Sequence, residues 1–204
     1  QFYKKAGQNF YLRNVDDATP TLWDLDARFR IMDQYEGLTQ VLTIASPPLE
    51  DVVGPEDALT LAKTANDELA ELIAKYPERF LGAAACLPMN DREAALREID
   101  RAITELHLQG IQIYSPINDK PLDHPDFMPL YEKMAAYDLP IWIHPKRGID
   151  YADYRTESRS KYWIFSMFGW PYETTSAMTR LVFSGVLERW PNLKFITHHC
   201  GGMV

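Results

Sequence analysis

Short apolar runs alternate along the chain with longer stretches in which apolar residues recur every three or four positions. The runs have the length of strands and are apolar at nearly every residue, which is the pattern of parallel strands buried on both faces. They are Leu38–Ser46, Phe80–Pro88, Gly110–Pro116, Pro140–Pro145 and Leu193–His199. The sequence therefore predicts five buried strands.

Amphipathic helical patterns fill the intervals between these strands. The predicted helix starts are a capping box at Thr21 and Asp24, then Pro55, Asn90 and Pro125. A fifth helix is predicted from about Tyr172 to Arg189, with Val182 among its inward-facing residues.

The spacing of the strands indicates the fold class. Three of them begin 30 residues apart, at Phe80, Gly110 and Pro140, which is the size of one βα unit. Such alternation gives a parallel sheet, either a closed (β/α)₈ barrel or an open doubly wound sheet. A complete barrel needs roughly 250 residues, and this chain has 204. We expect one domain over residues 1–204, and the absence of a methionine at Gln1 favours an internal piece of a longer chain.

Composition excludes several classes of protein. A net charge of −8 without any run of Lys or Arg disfavours nucleic-acid binding. No uncharged stretch approaches the about 20 apolar residues of a membrane-spanning helix. Two cysteines, Cys86 and Cys200, without a CxxC motif are typical of a protein of the reducing cytosol. Cys200 is expected to be a buried structural thiol rather than a nucleophile.

Histidines end two of the predicted strands. His144 closes the fourth, and His198 and His199 close the fifth, at the sheet edge where α/β proteins bind ligands. Neutral imidazole is both a common metal ligand and the usual general base near pH 7. The alternative, hydrogen-bonded loop histidines with no chemical role, stays open. Strand alternation predicts that His199 faces the site and that His198 faces the surrounding helices.

The segment from Lys146 to Trp170 combines basic and aromatic residues in a protein that is otherwise acidic. A segment of this length outside regular structure is often a lid or a binding loop. Its composition suits a flat anionic substrate, and Arg147, Arg159 and Trp163 are the candidate contacts. An oligomer interface has a similar composition, so both interpretations stay open.

Several short motifs, in order and at characteristic spacings, carry a family resemblance over nearly the whole chain. They are Ala65–Glu68, Tyr76–Phe80, Leu87–Pro88, Pro140–Pro145, Pro171–Thr175 and Arg189–Lys194 leading to His199 and Gly201. Together they resemble the amidohydrolase-related superfamily, in the branch that contains aminocarboxymuconate-semialdehyde, gamma-resorcylate and carboxyvanillate decarboxylases.

The resemblance implies an α/β fold, a (β/α)₈ TIM barrel of which this chain holds about strands 2–6, truncated at both ends. It implies one divalent metal ion, with zinc as the first expectation and manganese or magnesium as alternatives. By resemblance, His144 is a metal ligand on strand 5 and His199 the catalytic histidine after strand 6. The family's other ligands lie on strands 1 and 8, outside this chain.

The implied activity is non-oxidative decarboxylation of a small anionic aromatic or unsaturated carboxylate. A divalent ion can orient the carboxylate, and a histidine can deliver the proton to carbon. Hydrolysis or hydration by metal-activated water uses the same groups and is the alternative, and a non-catalytic barrel fragment is a third possibility. We further expect a cytoplasmic homo-oligomer, a dimer or tetramer, that binds neither nucleic acid nor membranes.

Overall fold

The computed structural model describes residues 19–203 and contains all five predicted strands, each shorter than its apolar run. The strands are β1 (Gln40–Leu42), β2 (Phe80–Ala83), β3 (Ile111–Ser115), β4 (Ile141–Pro145) and β5 (Phe195–Thr197). All strand pairings are parallel: β1 with β2, β3 with β4, and β4 with β5. Every residue of β3 is buried, as the continuous apolar pattern predicts. The prediction of complete burial was wrong for β1, β2 and β5, where Val41, Leu81 and Ile196 are exposed.

A bridge at Ala85 joins the two parts of the sheet. Ala85 donates its N–H to the carbonyl of Gly110 at 2.9 Å and accepts from the N–H of Gln112 at 2.9 Å. The described strands therefore follow one another in space in the same order as in the chain. A barrel has this consecutive order, whereas a doubly wound sheet reverses direction part-way. The fold class is thus α/β with a parallel sheet in the strand order of a TIM barrel.

One helix precedes β1, and the others connect consecutive strands. They are α1 (Leu25–Met32), α2 (Pro55–Lys75), α3 (Arg92–Thr104), α4 (Met128–Tyr137), α5 (Ile164–Met167), α6 (Gly169–Phe183) and α7 (Val186–Arg189). The predicted start at Pro55 is confirmed. At Pro125 the chain first makes a short 3₁₀ turn, Pro125–Phe127, which leads into α4.

Three helix predictions were wrong in detail. The side chain of Asp24, rather than Thr21, caps α1 by accepting from the N–H groups of Asp26 and Ala27. Asp91 caps α3 in place of Asn90. The fifth predicted helix begins earlier, at Gly169, where α6 starts. It is interrupted between α6 and α7, because Gly185 takes a φ of 80°.

The main core lies between the sheet and the helices that cover it. Its largest fully buried side chains include Phe80, Ile99, Ile111, Tyr131 and Ile141. On α6, Leu181 is fully buried, but Val182 is 52% exposed, so its predicted inward orientation was wrong. Among residues 19–203, no helix is long and apolar enough to cross a membrane.

A buried polar network, here called the Asn66 brace, ties α2 to α3 and to the segment after β2. The amide of Asn66 donates to the Cys86 carbonyl at 3.0 Å and to Glu98 at 2.7 Å, and its oxygen accepts from the Cys86 N–H at 2.8 Å. Arg101 then pairs with Glu98 at 2.8 Å and with Asp67 at 2.6 Å. The two buried side chains, Asn66 and Glu98, therefore have partners, as stable interiors require.

Candidate active site at the carboxyl ends of β4 and β5

His144 lies at the carboxyl end of β4 and is buried, with 9% of its surface exposed. Its Nδ1 lies 2.5 Å from the carbonyl oxygen of Pro145. A carbonyl oxygen only accepts, so Nδ1 carries the proton and donates it. In the neutral ring, Nε2 is then left with a free lone pair. This is the tautomer that a metal ligand or a hydrogen-bond acceptor needs.

His199 supplies the partner for that lone pair. Its Nε2 lies 3.0 Å from Nε2 of His144, and the two ring centroids are 4.8 Å apart. Since Nε2 of His144 accepts, Nε2 of His199 donates. The two histidines that the sequence placed at the ends of neighbouring strands are therefore in direct contact, although their chemical roles stay predictions.

The predicted separation of His198 from the site was wrong. The ring of His198 lies 4.9 Å from that of His144, and its Nε2 is buried without a hydrogen-bond partner among the described residues. Strand alternation stops at Thr197, where β5 ends, and His199 takes a left-handed φ of 53°. Both histidines therefore turn towards His144. Cys200, expected to be buried, is exposed.

Burial keeps these imidazoles neutral. It is the main cause that lowers the pKa of His144 to about 3, and the neighbouring His198 and His199 contribute to this decrease as potential like charges. The pKa of His198 falls to about 4 for the same two reasons, burial and then His199. Burial also lowers the pKa of His199. Near pH 7 the cluster therefore offers nitrogen lone pairs rather than positive charge.

Two aromatic side chains pack against the histidines, and neither was predicted individually as a site residue. Trp170 packs 4.7 Å from His199 and 5.7 Å from His144, and its Nε1 donates to the carbonyl of Arg147 at 2.8 Å. Tyr114 lies 5.3 Å from His144. Its position opposite His144 in the β3–β4 register could have indicated this contact, given the strand alignment.

The three predicted substrate contacts differ in placement. Arg147 has its guanidinium 4.8 Å from the Tyr151 ring, and its backbone carbonyl holds Trp170. Trp163 is 62% exposed and connects to the site indirectly, because it packs 5.4 Å from Phe165, which lies 6.5 Å from Trp170. Arg159 is exposed, and no hydrogen bond or ion pair with another described residue ties it to the histidines.

A cavity of about 540 Å³ opens beside His144 and His198 and runs along β1 towards Thr21 and Arg28. Ligand sites for small molecules are typically about 300–1,000 Å³. The cavity at the histidines therefore has the volume to admit a substituted benzene ring.

The described residues fit part of a metal site. His144 offers a neutral, buried Nε2 whose orientation is fixed through Nδ1. Within residues 19–203, however, no group of three or more His, Cys, Asp or Glu side chains could hold a metal ion. The histidines therefore suit a metal ion as donors but do not complete its coordination by themselves.

A family model described as amidohydrolase matches residues 8–204. The chain belongs to the amidohydrolase family. It is 34% identical over 192 residues to 2-amino-3-carboxymuconate-6-semialdehyde decarboxylase of Dictyostelium discoideum, covering 94% of this chain and 51% of that protein. It is also 34% identical to gamma-resorcylate decarboxylase of Polaromonas sp. strain JS666, covering 86% of this chain and 55% of that protein. The chain spans about half the length of these relatives.

Solved structures agree with this family membership. A dihydroxybenzoic acid decarboxylase from Polaromonas sp. JS666, with bound manganese and the inhibitor 2-nitroresorcinol, matches with a TM-score of 0.79 and 30% identity over 93% of this chain and 59% of that one. A 5-carboxyvanillate decarboxylase from Novosphingobium aromaticivorans, complexed with manganese, matches with a TM-score of 0.75 and 30% identity over 89% of this chain and 50% of that one.

Proposed function

We propose that the intact protein carrying this chain is a metal-dependent decarboxylase of a small aromatic or unsaturated carboxylate. The observation that carries the proposal is the 3.0 Å contact between Nε2 of His144 and Nε2 of His199 at the carboxyl ends of two neighbouring parallel strands. The names of the similar proteins support decarboxylation over hydrolysis within the family.

His144 would hold the ion through Nε2, whose lone pair accepts from His199 in this structure and would be given to the ion instead, while the bond of Nδ1 to the Pro145 carbonyl fixes the ring. Two related structures contain manganese, so we propose manganese first, with zinc, our expectation from the sequence, as the alternative. When bound, a divalent ion supplies the positive charge that holds the carboxylate and a neighbouring oxygen and offsets negative charge.

His199 would move the proton. Nε2 of His199 donates to Nε2 of His144 in this structure, so it is a protonated nitrogen pointing into the site. In the reaction the bond between the substrate carbon and its carboxyl group breaks, CO₂ leaves, and the electron pair stays on carbon. That carbon then takes the Nε2 proton from His199 in its doubly protonated form, and the ring, left neutral, recovers a proton from solvent. Burial lowers the pKa of His199, which makes the doubly protonated ring a stronger acid.

Aromatic and basic residues would hold the substrate. Trp170 presents a ring beside both histidines and can pack against a flat substrate. We propose that Arg147, Arg159 and Trp163 contact the substrate as the segment from Lys146 to Trp170 covers the site. The interface role of this segment, the dimer or tetramer and the cytoplasmic location stay predictions.

The test detects protonation at the carbon atom that loses its carboxylate. The intact protein, stripped of metal and reloaded with Mn²⁺ or Zn²⁺, is incubated with 2,6-dihydroxybenzoate or 5-carboxyvanillate in D₂O. We expect CO₂ release and a single deuterium at the carbon that lost its carboxylate, only in the metal-loaded protein. Hydrolysis of esters or amides without release of CO₂ from any carboxylate would contradict the proposal and favour the hydrolase alternative.

A further inference from the structure

The Glu173 carboxylate lies outside the histidine cluster but binds the backbone that follows His144. Its Oε2 accepts from the N–H of Lys146 at 3.0 Å and from the N–H of Arg147 at 2.8 Å. These are the first two N–H groups after Pro145, whose carbonyl orients the His144 ring. One oxygen atom of α6 therefore fixes the turn in which β4 leaves the sheet.

The same turn is connected to His199. The carbonyl of Arg147 accepts from Nε1 of Trp170, and the Trp170 ring packs 4.7 Å from His199. Arg147 thus links Glu173, through its N–H, to Trp170, through its carbonyl. Its side chain also packs closely on α6, because a Cβ at Gly169 would lie 2.5 Å from Cδ of Arg147.

A second anchor holds the other side of the turn. The Lys146 ammonium pairs with Asp51, in the segment after β1, at 2.8 Å, and the Lys146 side chain is only 11% exposed. Both residues that bind Glu173 through their N–H groups are therefore also held by other parts of the fold. A turn restrained at this many points has little freedom to shift the histidine that precedes it.

We propose that Glu173 is a positioning residue, which fixes the Lys146–Arg147 turn and thereby the relative placement of His144, Trp170 and His199. The inference rests on the proposed function for its catalytic consequence. Outer residues that orient metal-binding histidines typically change metal affinity or activity by about 10–100-fold when they are replaced. Glu173 acts through its hydrogen bonds and not by transferring a proton to the substrate.

This distinction can be tested by two substitutions in the intact protein. In Glu173→Gln the amide oxygen can still accept from both N–H groups, whereas Glu173→Leu removes the acceptor. We expect Glu173→Leu to lower kcat and Mn²⁺ affinity, the latter measured by electron paramagnetic resonance, each by about 10–100-fold. We expect Glu173→Gln to stay within about threefold of the original protein in both, since it keeps the hydrogen bonds.

Two further variants complete the experiment. Glu188→Leu removes an exposed carboxylate from α7 and is the matched control, with no effect expected on kcat or Mn²⁺ affinity. Trp170→Phe keeps a ring beside His199 but loses the indole N–H, so it should fall between the Gln and Leu variants. If Glu173→Leu does not fold, the Gln and Trp170→Phe variants decide the question.

The outcomes separate this inference from the proposed function. An inactive Glu173→Gln with normal Mn²⁺ affinity would indicate proton transfer and overturn the positioning role. So would unchanged kcat and affinity in Glu173→Leu, or in Trp170→Phe where the Leu variant does not fold. If the original protein releases no CO₂, the proposed function fails. Mn²⁺ affinity, together with the near-ultraviolet circular dichroism of the metal-free variants, still tests whether Glu173 fixes the turn.

Discussion

Two regions of this molecule bury polar side chains, and they differ in how those groups are satisfied. In the Asn66 brace, both polar atoms of the Asn66 side chain have partners, and Glu98 is paired with Arg101. In the histidine cluster, Nε2 of His198 is buried without a partner among the described residues. The nearby segment after β1 leaves Oε1 of Glu50 in the same condition.

The difference between the Asn66 brace and the histidine cluster indicates which buried polar groups stabilise the fold and which serve chemistry. A satisfied buried network holds helices together, and removing one member leaves its partners unpaired. An unsatisfied buried nitrogen costs stability, and use by a ligand or in a reaction is one reason why such a group is retained. Substitutions in the brace should therefore change the free energy of unfolding, whereas substitutions among the histidines should change chemistry.

The largest effects are expected from the histidines. His144→Ala should lower metal content and turnover together, because it removes the proposed ligand. His199→Ala should keep most of the metal but lose about 10²–10⁴-fold in turnover, as expected for a general acid–base. Loss of the His198 ring beside His144 should cost less, roughly 10–100-fold. Metal analysis and kcat of the purified intact variants check this.

The exposed His107 gives the control for this series, and His107→Ala should match the original protein in both readouts. If His199→Ala loses metal as completely as His144→Ala, the division of roles between the two histidines is wrong.

The brace should give the largest change in stability. Asn66→Ala removes three hydrogen bonds and leaves the backbone groups of Cys86 unpaired in the interior. We expect a loss of about 2–4 kcal/mol in the free energy of unfolding, measured by urea denaturation, with metal affinity unchanged. Thr64→Ala, at an exposed position of the same helix, should change it by less than about 0.5 kcal/mol. Equal midpoints of urea denaturation for Asn66→Ala and Thr64→Ala would contradict the stabilising role of the Asn66 brace.

The buried Glu50 carboxyl, whose Oε1 is one of the atoms without a partner among the described residues, can be tested through the pH dependence of stability. Burial is the main cause that raises its pKa from 4.5 to about 7. Asp51 contributes to this increase, while the Glu50 backbone N–H and Lys146 oppose it. Between these two values the folded protein binds more protons than the unfolded chain, so Glu50 makes stability fall as pH rises through about 7. Glu50→Gln should therefore be more stable than the original protein at pH 8, by about 1–3 kcal/mol, and similar at pH 4.

Thermal unfolding across this pH range checks the prediction for Glu50. Glu56→Gln replaces a nearby exposed carboxylate and is the matched control. A Glu50→Gln variant whose pH profile parallels that of the original protein would show that Glu50 is not held in its neutral form.

The smallest expected effect concerns the basic side chains near the site. Arg147→Ala should raise KM for a carboxylate substrate by roughly tenfold, as for loss of a charged hydrogen-bond donor. Arg159→Ala should raise it less, because Arg159 is exposed and not tied to the histidines. Steady-state kinetics and light scattering on the same samples check this. Unchanged KM in both variants with an altered oligomer size would favour the interface role of this segment.

The sequence by itself determined the strand positions and the placement of His144. Short, nearly continuous apolar runs rich in β-branched residues are typical of parallel strands, and all five strands lie within their predicted runs. Parallel strands expose their carboxyl ends at one edge, which is why His144 and the histidines after β5 could be expected near each other. The start of α2 also followed from local chemistry, because Pro55 suits a first helical turn.

Only the tertiary structure decided the side chains around those histidines. The strand-face prediction for His198 failed because β5 ends at Thr197, and backbone dihedrals beyond that residue are not set by alternation. Trp170 meets the Arg147 carbonyl across 23 positions of the chain, and His199 meets His144 across 55. The Trp170 contact arises because α6 docks on the sheet, and the direct contact of His199 with His144 arises because the chain turns after β5. Local propensity carries no information about that docking, so the role of Glu173 becomes visible only in the fold.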